Sequence, residues 1–390
     1  MNRRSLYLTV VSVALSGAVS CTSSEPEIKP LVFEPGQFVS ARRCGECHKD
    51  IYAAWNVSLH ARAYQDEIFQ ASYAEVAESA KGEAARTCFA CHAPTAGPAN
   101  DPNATRAVTR EGVTCDFCHS LSNTHLSRPD PFEVQLGKVK FGPVKDAASN
   151  GHGVQYSSFH TTSLHCAGCH QFTNSNGLEL LSTFREWETY RDRGGTKTCQ
   201  ECHMPVVAAN IVDPKVKRVE GATVNLHEMP GGHSLHQLNK SLRMRILGLD
   251  RTPRGLRAQV MVHNVGAGHS VPTGVPTRKV ILSVEVRVGE QKFEDKRVYE
   301  RVVLDDGGNE LRRDSEVFLK GRTATKDTRL APLEERIEEF FLPIPSEGNA
   351  QVVATLTYLY SPHDLKETET RIDFWKEKRE LATNWRPRRY

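Results

Sequence analysis

Fifteen residues of this chain fall into one repeated pattern, Cys-x-x-Cys-His, at positions 44–48, 88–92, 115–119, 166–170 and 199–203. The cysteine pairs are Cys44 and Cys47, Cys88 and Cys91, Cys115 and Cys118, Cys166 and Cys169, and Cys199 and Cys202. The histidines that follow are His48, His92, His119, His170 and His203. Two thiols at this spacing add across the two vinyl groups of a porphyrin, and the next histidine ligates the iron: this is the attachment site of a c-type haem. Composition alone would produce roughly 0.01 such motifs in a chain with this content of Cys and His. A zinc site needs two half-sites that pair, and five identical units do not pair off. A redox dithiol does not require His after the second Cys five times over. The pattern therefore implies five covalently bound haem c groups, each bringing one iron.

Each iron in such a site takes two axial ligands, so five more donors are needed. His60, His152, His160, His233 and His269 supply that number, with His125, His165, His227 and His236 in reserve. His60 lies 12 residues past His48 on a stretch, Lys49 to Tyr64, whose Ile51, Trp55 and Leu59 have helical spacing. A straight helix would carry it about 18 Å away, so it is expected to serve a neighbouring haem. His165 abuts Cys166 and is poorly placed to reach another iron. Bis-histidine irons leave no position for a substrate and change oxidation state with little rearrangement, which suits an electron carrier.

The elements that must hold these groups are polar. Hydrophobic residues make up 39% of the 390-residue chain and mean hydropathy is −0.47. Five haems would provide large apolar bodies within the 160 residues that carry the motifs, and that stretch is not expected to fold without them. Formal charge is +3. Loss of residues 1–20 with Arg3 and Arg4 leaves about +1, and ten haem propionates bring it to about −9, so charge gives no argument for nucleic acid.

Residues 1–20 read as an export signal. Arg3 and Arg4 precede an apolar run, Leu6 to Val19, too short to span a bilayer comfortably, and the small residues Ala18 and Ser20 precede Cys21. Cys21 is the one cysteine outside the pattern. It resembles the lipid-modified cysteine of bacterial lipoproteins, although Ala18 stands where that group usually has Leu. Residues 21–40 read as a lipid-anchored tether rich in Ser and Pro. The expected location is the periplasm or outer membrane of a bacterium, with the membrane surface reached through the anchor.

Residues 93–110 and 121–150 read as loops, and Thr183 opens a short helix towards the fifth motif. Motif intervals of 44, 27, 51 and 33 residues exclude a tandem array. From about Ser241 the pattern changes to period 2, as in Leu256, Ala258, Val260 and Val262, or Val280, Leu282, Val284 and Val286. Six or seven short strands fit a β-sandwich over 241–362, with 363–390 as a solvated tail. The glycine-rich loop from Asn264 to Gly274 interrupts the strands and offers His269 to the motif-bearing domain.

Cys44 to His48 followed by Trp55, Ser58 and His60; Gly112-Val113 before Cys115; Tyr156, Ser157, His160 and Ser163 before Cys166; Glu186-Trp187; Cys202-His203-Met204-Pro205; and Gly268-His269 with Pro272-Thr273-Gly274 together resemble multihaem c-type cytochromes of the cytochrome c-552/c-554 family. That family is related to hydroxylamine oxidoreductase and the pentahaem nitrite reductases. The resemblance spans roughly residues 40–280. It implies a mostly helical haem domain with closely packed haem pairs, and supports His60, His160 and His269 as distal ligands. The nitrite reductases hold their catalytic haem through a motif ending in Lys, whereas all five here end in His. Nothing marks the tyrosine cross-link of the hydroxylamine oxidoreductases.

The expected architecture is α+β in two domains: a mostly helical, loop-rich multihaem cytochrome c domain over 41–240, followed by an all-β Ig-like sandwich. The expected function is electron relay between redox partner proteins, either other cytochromes or a membrane quinol-linked complex. Two rivals stand beside it. One is an oxidoreductase for a small nitrogen or sulfur compound, which requires an iron without a distal histidine. The other is a docking subunit of a membrane-associated electron-transfer complex, with the sandwich in the main role.

Overall fold

A computed structural model describes residues 32–34, 36–77, 82–360 and 370–382. The export signal, Cys21, the tether up to residue 31 and His363 lie outside the described residues.

On a helical turn, residues i, i+3 and i+4 share a side, which gathers both cysteines and the histidine of a motif. The five motifs accordingly start on or lie within short helices: Ala41–Gly45, Glu83–His92, Cys115–Cys118, Leu164–His170 and Cys199–His203. Small hydroxyl residues start three of them. Ser40 accepts from the Arg42 amide, Thr114 from the Phe117 amide, and Thr198 forms a reciprocal capping box with Glu201. Asp116, buried inside the third motif, accepts from the Val39 amide at 2.6 Å and from Ser120 Oγ at 3.0 Å, and pairs with Lys140.

The helix expected over 49–64 is two helices, Lys49–Asn56 and Leu59–Arg62. Ser58 Oγ accepts from the Ala61 amide and starts a new helix, which turns His60 away from the first axis. Nor is this part mostly helical. Antiparallel ribbons pair Leu121–Thr124 with Phe132–Val134, Phe172–Thr173 with Glu179–Leu181, and Val206–Ala208 with Thr223–Asn225; a parallel one pairs Val139–Gly142 with Gly153–Tyr156. The stretch 121–150, expected as loop, contributes three of these strands, because cross-strand pairing prevails over a sequence rich in turn residues.

The C-terminal part is β-rich. Seven strands, β1 (Leu242–Thr252), β2 (Gly255–Asn264), β3 (Lys279–Val288), β4 (Gln291–Tyr299), β5 (Glu335–Leu342), β6 (Ala350–Leu359) and β7 (Arg371–Leu381), form two antiparallel sheets in the orders β5-β2-β1 and β4-β3-β6-β7. Period 2 sets the register: Val280, Leu282, Val284 and Val286 are opposite Tyr358, Leu356, Ala354 and Val352, and all eight face a core shared with Leu256, Ala258, Val260 and Val262 of the other sheet.

The expected solvated tail over 363–390 is corrected by β7, which pairs with β6 along its length. Phe374 and Leu381 are buried while Lys376, Glu377, Lys378 and Glu380 crowd the same strand. That charge density hides the alternation of an edge strand. Between Arg301–Leu304 and its partner Thr323–Asp327, the Asp305–Asn309 turn leads first into a helix, Asp314–Lys320.

The two parts are fastened together. Leu180 packs with Val303, Leu311 and Val317 in one buried cluster. Arg301 donates to the Glu179 and Leu180 carbonyls, and Asn174 Nδ2 donates to the Gly321 carbonyl at 2.8 Å. Among the described residues no helix is long and apolar enough to cross a membrane.

Candidate haem centres

Two imidazoles bound to one metal ion at about 2 Å, with about 1 Å more from ring nitrogen to ring centre, have centroids about 6 Å apart. Four motif histidines face a second histidine at that spacing. His48 and His152 are 6.2 Å apart, His170 and His60 6.2 Å, His203 and His269 6.3 Å, and His119 and His227 6.4 Å. These partners come from distant parts of the chain, so only the fold brings them together.

The hydrogen bonds fit the same chemistry. Nδ1 of His48, His92, His119 and His203 meets the carbonyls of Ile211, Ala63, Phe141 and Pro230 at 2.5–2.7 Å. Nδ1 of His152, His227 and His269 meets those of Gly153, Asn225 and Ser270. An Nδ1–H donated to a carbonyl fixes the tautomer and leaves Nε2 as the free lone pair for iron. His60 is an exception, since its Nδ1 is buried with no partner. Burial pushes the His60, His227 and His233 imidazoles down to about 4 and His170 to about 3. It therefore holds them in the neutral form, which is the ligating one. Among the described residues no three of His, Cys, Asp or Glu converge as a metal-ion shell. The residues present fit haem, which takes two thiols and two opposed imidazoles per group.

The thiols of different motifs touch. Cys44 lies beside Cys115, Cys91 beside Cys169, and Cys199 beside Cys166. Cys118 is within electrostatic reach of both Cys166 and Cys169.

The structure places the remaining sequence candidates unevenly. His160 lies 5.6 Å from His119, but its Nε2 is 3.2 Å from the Leu121 carbonyl and its ring is 4.5 Å from His165. His227, a reserve in the sequence reading, has the spacing, the near-parallel ring and the free Nε2. It follows the short strand that returns along the fifth motif's own ribbon, a pairing with no local sequence signal. Phe69 stacks on His92 at 4.0 Å. His233 stacks on Tyr360 at 4.1 Å, and both His92 and His233 feel the charges of Asp66 and Arg278.

Two loops seat His60 and His269. Gly112 has φ +71°, and a Cβ there would collide with the His60 carbonyl, to which the Val113 amide donates at 2.9 Å. Gly112→Ala is expected to cost about 2 kcal/mol, from a left-handed backbone and a displaced turn. It should also alter the spectrum of any haem that His60 ligates. A variant with the parent's unfolding midpoint and an unchanged spectrum would refute this account of Gly112. In the second loop, Asn264 Nδ2 donates to the His269 carbonyl at 2.9 Å, and Glu186 accepts from the Ser270 amide at 3.1 Å and from Thr273 Oγ1 at 2.8 Å.

Helices with Cys-x-x-Cys-His runs and opposed imidazoles define a multihaem c-type cytochrome. Residues 43–120 match the family model described as cytochrome c554 and c-prime. Among solved structures, the crystal structure of a penta-haem cytochrome c552 from Thermochromatium tepidum shares the fold, with a TM-score of 0.72 and 22% identity over 89% of this chain and 100% of that one. No curated protein matches the chain. Over residues 43–120 the chain is similar to the cytochrome c554 family, and over most of its length it shares the fold of a penta-haem cytochrome c552.

Proposed function

We propose that this cytochrome is an exported electron relay carrying five haems, each six-coordinate between two histidines. The observation that carries the reading is the set of four imidazole pairs at 6.2–6.4 Å. The proposed axial pairs are His48 with His152, His170 with His60, His119 with His227, His203 with His269, and His92 with His233. In this scheme His227 takes the place expected for His160.

A bound haem c supplies a one-electron ferric/ferrous couple. The chain does the rest. Its cysteine pairs would hold each macrocycle, and its carbonyls orient the imidazoles that would ligate the iron. The thiol contacts order the centres: the first beside the third, the third beside the fourth, and the fourth beside both the second and the fifth. Electrons would then pass along a path that branches at the fourth motif. A lipid at Cys21 would keep the relay at a membrane surface, where it would meet redox partner proteins.

A pyridine haemochrome count, with optical and EPR spectra of the purified holoprotein, tests this. Five haems, all low-spin and inert to CO, are expected. A high-spin, CO-binding fraction equal to one haem would replace the relay with a small-molecule oxidoreductase.

A further inference from the structure

The turn entering β3 carries a guanidinium that the axial pairs do not use. Arg278 is half-buried, and its one side-chain hydrogen bond among the described residues runs from Nη1 to the Thr273 carbonyl at 3.2 Å. No ion pair to it occurs among the described residues. Gly274, at φ +87°, lies directly under the guanidinium, and a Cβ there would come within 2.5 Å of Nη1. The backbone is therefore shaped to let Arg278 fold back over it.

What Arg278 faces is the haem-bearing part. Its charge reaches His92 and His170, the motif histidines of the second and fourth centres, and also His233 and Tyr358. His233 stacks on Tyr360, and the Tyr358 hydroxyl sits against Gly232, where a Cβ would be 2.8 Å away. Arginine, tyrosine and histidine thus converge from the turn before β3, from β6 and from the turn before the Leu235–Ser241 helix. The carboxylates in reach are Asp66, felt by His92 and His233, and Asp314, felt by His92 and Tyr358. Asp314 already accepts from Thr277 Oγ1 at 2.5 Å.

A half-buried guanidinium without a carboxylate is costly, and its planar fork matches an oxyanion through two parallel hydrogen bonds. We propose that Arg278 is an oxyanion-binding residue at the junction of the second and fourth centres. The oxyanion is either a propionate of one of those haems or a small diffusible anion. The inference rests on the haem reading above, and takes it further by giving the β-rich part a residue that tunes those two centres.

The test is a redox titration of the holoprotein as wild type, Arg278→Gln and Arg278→Lys, with the exposed Arg287→Gln as control. It is run in chloride buffer and again with sodium nitrite as the probe. Removal of a positive charge, or of the partner of a propionate, favours the ferric state. Arg278→Gln should therefore lower one or two midpoints and leave the others in place, and Arg278→Lys should give a smaller fall in the same centres. That result without nitrite identifies a propionate. Unmoved midpoints, with a nitrite-induced Soret change in the wild type that Arg278→Gln loses, identify a diffusible anion. Absence of both effects would overturn the proposal. If the glutamine variant fails to load haem, the lysine variant decides by the same criteria. A wild-type count below five haems removes the haem reading, whereas five haems with unmoved midpoints and no nitrite response remove only this inference.

Discussion

Made without haem attachment, the chain should keep its two-sheet C-terminal part folded and lose order in the part that carries the motifs. The cores differ in kind. Residues from Leu238 to Leu381 build one continuous apolar cluster with Val, Leu and Phe side chains at or near zero exposure. The motif-bearing part has small islands. One joins Phe69 and Phe89 to three alanines, and another joins Phe38, Ala99, Phe117 and Leu121. A buried aromatic side chain contributes about 2–3 kcal/mol, while each ordered residue costs about 1–2 kcal/mol of backbone entropy. Islands of this size do not offset the ordering of the connections between them.

The imidazoles add to the deficit. Burial depresses His60 to about 4 and His170 to about 3, below the unfolded value near 6.5. A histidine shifted down contributes its stability above the unfolded value, and loses it as pH falls towards the folded one. The haem-free chain should therefore be worse at pH 5 than at pH 8. Hydrogen exchange read by mass spectrometry on haem-free protein checks this. Amides of β1 to β7 should stay protected while those of 41–203 exchange at once. Strong protection in the Glu83–His92 and Leu164–His170 helices without haem would sink the idea.

The chemistry of this protein was legible because it is local: two cysteines and a histidine within five residues need no fold to be recognised. Strands β2, β3 and β6 were legible for the same reason, since inward and outward residues alternate in plain sight. Period 2 failed at β7, where Lys376 to Glu380 mask two buried anchors behind charge. Helical period ran through Val57 and Ser58, where a serine cap outweighed a continuous pattern. The distal side of each centre was legible only as a list of histidines. The proposal of His227 in place of His160 rests on the carbonyl each imidazole meets, and those carbonyls belong to ribbons that no local pattern announces. Glu186 was visible as part of a motif, but its role depends on Arg329, 143 residues away in sequence.

Glu186→Ala should release the His269 loop and cost the protein about 3 kcal/mol. Both carboxylate oxygens are used. Oε1 accepts from Ser182 Oγ and from Arg329 Nη1, each at 2.7 Å, and Oε2 accepts from the Ser270 amide and Thr273 Oγ1. Glu186 and Arg329 side chains are each 10% exposed, so the pair lies out of water, and its loss leaves a guanidinium in a poor environment. Asp327, bound to Arg329 at 2.7 Å but more open to solvent, limits the damage, which places the cost at the low end for a buried pair. The larger effect is on His269. With no anchor on Ser270 or Thr273, the loop no longer holds its imidazole 6.3 Å from His203. EPR should then show a high-spin fraction from that centre alone.

Acid should imitate the mutation in the wild type. Burial pushes the Glu186 carboxyl up, but Arg329 and the Ser182 and Thr273 hydroxyls outweigh it and leave it below the usual glutamate range. A depressed carboxyl stabilises the fold above its unfolded value near 4.3, and loses that contribution as pH falls through its folded value. The wild-type His203–His269 signal should weaken in that acid window, and in Glu186→Ala the same window should bring no further change. An Ala variant that keeps every low-spin signal would show that the loop holds its shape through Asn264 alone.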